Sequence, residues 1–126
     1  GADILLYPTA IGWDPNDTAD EQQRQRDAWI TIQRSHAIAN NLPVAACNRI
    51  GDEQSATMKT TFWGSSFIAG PQGEIHAQAS TDNTELLVCP VDYSKTEAVR
   101  RVWPYLRDRR IDAYDGIKQR FIDDES

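Results

Sequence analysis

Sulfur is what this chain has least of: two cysteines, Cys47 and Cys89, and one methionine in 126 residues. Neither cysteine belongs to a CxxC pair or to Cys/His spacing, which gives no metal signature and fits a reducing compartment such as the cytoplasm. Both sit among apolar neighbours, so both are expected to be reduced core residues. Long apolar runs are missing too. No stretch is long enough to span a bilayer, and no charged segment leads into an apolar one at the start, so nothing marks the chain for a membrane or for secretion. Positive charge is short as well: 13 Lys and Arg against 19 Asp and Glu leave a net charge of −6. That balance argues against nucleic acid, whose phosphates are held by Lys and Arg. GxSxG, P-loop, GxGxxG and HExxH motifs are all absent.

What is present reads as alternating strands and helices. Ile4-Leu5-Leu6-Tyr7 is a short continuous apolar run closed by Pro8, the pattern of a strand buried on both faces. Residues 8–20 are rich in turn formers, and Thr18-Ala19-Asp20-Glu21 is a T-x-x-E capping box that predicts a helix over residues 20–40. Trp29, Ile32, Gln33, His36, Ala37 and Asn40 share one face of that helix and should pack on a sheet. A second apolar run, Val44-Ala45-Ala46-Cys47, completes a βαβ unit with parallel strands. Residues 51–60 read as a polar surface loop. Gly70-Pro71-Gln72-Gly73 predicts a hairpin turn between strands at 65–69 and 74–79. Residues 85–91 read as another strand. A second capping box, Ser94-Lys95-Thr96-Glu97, opens a helix that Pro104 should interrupt, and the tail beyond has too few apolar residues for a core of its own.

Read from the residues alone, Cys47 is the candidate nucleophile, ending a strand just before Asn48 and Arg49, with His36 as a possible base. Packing is the preferred reading of both. Cys47 is then a small apolar strand residue, and His36 a helix-face histidine with a buried hydrogen bond. His76, alternating with Ile75 and Ala77, is expected to be exposed.

Four blocks, GADILLYPTAIG, QRSHAIANNLPVAACNRIG, FWGSSFIAGPQGEI and WPYLRDRRIDAY, occur in this order and at the usual distances of the nitrilase (carbon–nitrogen hydrolase) superfamily, which the chain resembles from residue 1 to about 116. Within it the blocks are most similar to those of the amidohydrolases acting on N-carbamoylputrescine. Trp63, Leu106 and Ile111 depart from the residues usual there, as does the loop WDPNDTADEQQRQ. The resemblance implies an α/β fold, the C-terminal part of a four-layer α-β-β-α sandwich, with one partial domain over residues 1–126.

The resemblance further implies that the catalytic Glu, Lys and Cys, with a second supporting Glu, lie upstream of the block matching Gly1-Ala2-Asp3-Ile4, so that no residue of this chain is catalytic and Cys47 is not the nucleophile. The reaction implied is hydrolysis of a carbamoyl or amide C–N bond in a small molecule through a Cys thiolate, with no metal and no cofactor. Pro8, Thr9, Ala10 and Ile11 are then expected to line the substrate pocket. Trp13, Asp14 and Asp17 in the next loop are candidates to meet a cationic substrate end. A turn at Asp14-Pro15 and a solvated Asp17 near the helix start are the plainer readings of the two acids. Residues 104–126, with Trp103, Tyr105 and Tyr114 around a charged RDRR, are expected at a homo-oligomer interface. A ureido-acid or ω-amide amidase, or an inactive binding domain of the same shape, stays open as an alternative.

Overall fold

The computed structural model describes residues 1–57 and 59–120. Two sheets carry the chain. The first holds β1 (Leu5–Pro8), β3 (Val44–Cys47), β6 (Phe67–Ala69) and β7 (Ile75–Gln78) in that spatial order, and the second holds β2 (Gly12–Trp13), β5 (Lys59–Trp63) and β4 (Ile50–Gln54). β1 and β3 pair parallel, Leu5 opposite Val44, as the βαβ reading requires. The remaining pairings are antiparallel.

The crossover is α1 (Ala19–Asn40), and its two ends follow from local chemistry. Thr18 is the N-cap, its hydroxyl accepting from the Glu21 amide at 3.3 Å. Glu21 itself turns to Arg24, with which it pairs at 2.7 Å. At the other end Asn41 adopts the left-handed conformation, φ 49°, and its amide donates to Ile38. The buried face is only partly the one the periodicity gave. Gln33 and Ala37 are buried and Trp29 packs on the core of Ala46, Phe67 and Ala69 as expected, but Ile30 packs there too, while Ile32 is 55% exposed and His36 and Asn40 face outward. Arg26 and Arg34 hold the helix to the strands behind it, Arg34 donating to the Gly73 carbonyl at 2.7 Å and Arg26 to the Ser65 hydroxyl at 2.7 Å.

Among the described residues β1 is the outer strand of its sheet, with Leu6 66% exposed and Leu5 and Tyr7 half-buried. Other expectations fail for physical reasons. Residues 51–60 are not loop throughout, since β4 and β5 form an antiparallel hairpin with Asp52 opposite Thr61. Its outer part is polar, and the apolar Phe62 and Trp63 at its base are adjacent in sequence and both buried, so no apolar alternation shows in the sequence. Cross-strand partners stabilise it instead, Asp52 with Lys59 at 3.4 Å and with the Thr61 hydroxyl at 2.6 Å. Residues 85–91 alternate as a strand should, yet no ladder partner lies beside them among the described residues. Glu85 is drawn to the turn at Ser80, whose amide it accepts at 2.7 Å, and Leu86 and Val88 stand exposed. Cys47 is exposed and Cys89 half-buried, so neither is a core residue.

The last helix, α2 (Tyr93–Val102), is capped by Asp92 and not by Ser94: the Asp92 carboxylate accepts the Ser94 amide at 2.9 Å and its hydroxyl at 2.6 Å. The helix stops ahead of Pro104, as expected. Short 3-10 turns follow at Ile111–Ala113 and Asp115–Lys118. The part of the expected tail interface at residues 121–126 lies outside the described residues.

Lys95 of α2 forms an ion pair with Glu74, which also accepts the Gln72 amide at 2.9 Å and lies 3.8 Å from His76. Burial raises the Glu74 carboxyl, but the Lys95 ammonium and the main-chain donors outweigh it and hold the group below its ordinary 4.5. A carboxylate whose folded pKa is depressed contributes stability above the unfolded value and loses it as pH falls through the folded one. The pair is partly exposed, which limits its strength. Glu74→Gln is therefore expected to cost a little stability at neutral pH and to flatten the loss of stability below about pH 4.5, measured by denaturant unfolding across pH; an unchanged acid limb would contradict this.

Candidate functional site

β1 and β3 end at the same sheet edge, Pro8 opposite Cys47. The carboxyl ends of parallel strands are where α/β proteins build sites. Residues 8–11 leave from that edge, with Pro8 and Ala10 exposed, Thr9 half-buried and Ile11 37% exposed. Three crossings between the two sheets meet here. Residues 9–11 carry the chain from β1 to β2, residues 48–49 from β3 to β4, and residues 64–66 from β5 back to β6.

Main-chain groups at a crossing have left one ladder without entering the next and need other partners. Asn48 provides them. Its Nδ2 donates to the Ile11 carbonyl at 2.9 Å and the Gly64 carbonyl at 3.0 Å. Its Oδ1 accepts from the Ile11 amide at 2.9 Å and the Thr9 hydroxyl at 3.1 Å. Two donors and two acceptor positions are the full inventory of a primary amide. Main-chain contacts add to it: Thr9 N–H donates to the Cys47 carbonyl at 2.8 Å, Gly64 N–H to that of Arg49 at 2.9 Å, and Asn48 N–H to the Ser66 hydroxyl at 2.9 Å.

The third crossing needs two consecutive left-handed residues, Gly64 at φ 52° and Ser65 at φ 59°. A Cβ on Gly64 would stand 2.7 Å from the Ser80 carbonyl oxygen and 2.8 Å from Ile50. Ser65 accepts its conformation because it is wholly buried and bonded, its hydroxyl donating to the Trp63 carbonyl at 2.8 Å and accepting from Arg26 at 2.7 Å.

The loop after the crossing is held differently. Asp14 is a turn initiator, its Oδ1 accepting the Asn16 amide at 2.9 Å and the Asn16 side chain at 3.0 Å. Asp17 accepts from Gln25 of α1 at 2.7 Å. Trp13 rests edge-on against Trp63 at 5.1 Å, and the aromatic run continues through Trp29 at 6.0 Å to Phe67 at 5.9 Å. Trp63 is 1% exposed, and its indole N–H has no partner among the described residues. Trp13 also lines a shallow cleft of about 290 Å³ with Pro15, Gln22, Lys59 and Thr61. There Thr61 and Lys59 hold the Asp52 carboxyl below the usual carboxylate range.

The structure thus gathers Pro8, Thr9, Ala10 and Ile11 at the strand ends with Cys47, whereas Trp13, Asp14 and Asp17 are engaged within the loop that leads into α1. His36, the base suggested for Cys47, lies on the surface of α1 with its Nδ1 3.2 Å from the Tyr7 hydroxyl. Among the described residues no three His, Cys, Asp or Glu side chains converge as metal ligands, and no helix is long and apolar enough to cross a membrane. Asn48 is the residue that sequence reasoning missed. Its signal was an amide standing directly after an apolar strand, where main-chain polar groups leave the ladder.

A carbon–nitrogen hydrolase family model matches residues 1–101. The chain is 43% identical over 118 residues to an N-carbamoylputrescine amidase of Arabidopsis thaliana, covering 90% of this chain and 38% of that protein. It is 37% identical over 121 residues to a citrullinase of Francisella tularensis, covering 96% of this chain and 41% of that protein. A solved carbon–nitrogen hydrolase from Helicobacter pylori G27 superimposes with a TM-score of 0.92 at 50% identity, over 97% of this chain and 43% of that one. The chain therefore spans about two fifths of the length of the relatives it matches.

The crossing at Gly64 makes a sharp prediction. Gly64→Ala adds a Cβ to a left-handed residue with a carbonyl oxygen in the way, and should destabilise the protein by about 1–3 kcal/mol. A fall in the thermal midpoint of several degrees is the expected result, and an unchanged midpoint would show that the crossing is not constrained.

Proposed function

The chain belongs to the carbon–nitrogen hydrolase family, and on that premise we propose that it is the C-terminal portion of an amidohydrolase that cleaves a terminal ureido group, with N-carbamoylputrescine as its substrate. One observation carries the reading: relatives with two different names, one for N-carbamoylputrescine and one for citrulline, meet in a single chemical feature, a terminal urea on an alkyl chain. Water adds across the ureido carbon, and the products are the free amine, carbon dioxide and ammonia.

The nucleophilic Cys, the Lys and the Glu pair of the family precede the block that Gly1 opens in this chain. The thiolate attacks the ureido carbon while Lys and a main-chain N–H steady the oxyanion; the C–NH2 bond breaks and ammonia leaves with a proton from Glu, and water deprotonated by Glu then displaces the thiolate to give a carbamic acid that falls apart to the amine and carbon dioxide. No cofactor is needed. Pro8, Thr9, Ala10 and Ile11 line the pocket, where the small Ala10 admits the alkyl chain. Asp14 or Asp17, with the face of Trp13, receives the distal ammonium of the substrate. The enzyme works in the cytoplasm and releases putrescine for polyamine biosynthesis. It is a homo-oligomer whose tail, with Trp103 stacked on Tyr105 at 6.0 Å and Trp103 53% exposed, meets a second subunit.

The test is ammonia release by the full-length protein from N-carbamoylputrescine, citrulline and an ω-ureido carboxylic acid. N-carbamoylputrescine should be turned over fastest, and Cys47→Ala should retain that activity. Asp14→Asn or Asp17→Asn should weaken N-carbamoylputrescine by about tenfold in kcat/KM and spare the ureido acid, which carries no distal cation. Ammonia from none of the three would overturn the proposal, and loss of all activity in Cys47→Ala would return Cys47 to the nucleophile's place.

A further inference from the structure

The segment proposed to line the pocket is not rigid by its own nature. Residues 9–11 belong to no strand and no helix, and Ala10 and Ile11 are exposed. Loop main chain of that kind samples many conformations unless its polar groups are tied down. Here both polar groups of Ile11 are tied to one side chain, since Asn48 accepts from its N–H and donates to its C=O, each at 2.9 Å. The same amide takes the Thr9 hydroxyl at 3.1 Å and is itself fixed at its far side by the Gly64 carbonyl at 3.0 Å. The clamp does not hang free. The Asn48 amide N–H donates to the Ser66 hydroxyl at 2.9 Å, so the backbone that carries the side chain is also anchored.

We propose that Asn48 is a positioning residue for substrate binding: it sets where residues 8–11 stand against the substrate without touching the substrate itself. This rests on the reading of residues 8–11 as pocket lining. Asn48 holds main chain and a hydroxyl, and the reacting Cys, Lys and Glu of that reading lie elsewhere in the protein. Losing the clamp therefore loosens the surface that the bound alkyl chain meets while leaving the chemical step largely intact. Such a change raises KM more than it lowers kcat. A purely structural role predicts the opposite split. A variant that is partly unfolded has fewer active molecules, which lowers apparent kcat and leaves KM where it was.

Asn48→Asp is nearly isosteric and keeps the acceptor for Thr9 and Ile11, but removes both donors and sets a carboxylate oxygen against two carbonyls. Asn48→Gln keeps every donor and acceptor and lengthens the arm by one methylene, so it displaces the loop without deleting its partners. Both are made in the full-length protein, checked for folding by circular dichroism and thermal midpoint, and assayed for ammonia release from N-carbamoylputrescine. The expected result for each folded variant is a KM raised about tenfold or more with kcat within about threefold of wild type. For Asn48→Asp the KM should recover toward wild type as pH falls and the carboxyl regains a proton to donate.

A folded variant with wild-type KM and lowered kcat overturns the inference, and so does failure of both variants to fold, which would make Asn48 a stability residue. A wild-type protein inactive on every ureido substrate sinks the functional reading itself, and this inference with it; an active wild type with unaffected variants sinks the inference alone.

Discussion

One primary amide holds the two sheets together where the chain passes between them. Asn48 is the residue at one crossing, and its side chain bonds to the other two, at Thr9 and Ile11 on one side and Gly64 on the other. Two of these partners have a second bond, the Thr9 hydroxyl to the Cys47 carbonyl at 3.0 Å and the Ile11 carbonyl from the Trp63 N–H at 3.5 Å, but the Ile11 N–H and the Gly64 carbonyl rely on Asn48 among the hydrogen bonds of the described residues. Four bonds to one planar group also fix direction. The three crossings cannot shift relative to one another without breaking at least one bond of the set.

Much of the neighbourhood is built to serve that junction. The left-handed pair Gly64 and Ser65 turns the chain from the second sheet to the first, and Arg26 of α1 reaches the buried Ser65 hydroxyl. Arg34 makes the parallel contact at Gly73. Both arginines lie on the side of α1 that meets the sheet, the side that also brings Trp29 against Phe67 and Trp63. Trp13 then closes over Trp63, so the loop beyond the crossing leans on the same aromatic core. The strand ends where residues 8–11 emerge are thus supported by hydrogen bonds from one side and by ring packing from the other.

The α/β class, the parallel pairing of β1 with β3, the hairpin at Gly70-Pro71-Gln72-Gly73 and the stop before Pro104 were legible because each depends on local patterns: apolar runs, a turn sequence, a proline. The hairpin of β4 and β5 was not, because Asp52, Lys59 and Thr61 pair across strands and leave no apolar alternation to read. The face of α1 was legible in part: Trp29, Gln33 and Ala37 lie on it, whereas periodicity weighs Ile32 as heavily as Ile30, and the contacts of Arg26 and Arg34 on the Ile30 side go to residues 39 positions away in sequence. Asp92 outcompeted Ser94 as a cap because its carboxylate could accept both the Ser94 amide and hydroxyl. That residues 8–11 leave the ends of β1 and β3 was legible in the apolar run closed by Pro8. The role of Asn48 was not, since its four bonds go to two other stretches of chain, 9–11 and Gly64, far from it in sequence.

The most direct test of this account is the exchange of the Asn48 side-chain amide protons and the Ile11 main-chain amide with solvent deuterium, followed by NMR in the wild-type protein. The account predicts that the three protons are protected together, at a rate close to that of amides in the β1–β3 ladder, although Ile11 belongs to no strand. Exchange of the Asn48 protons at the rate of a freely hydrated amide would contradict it.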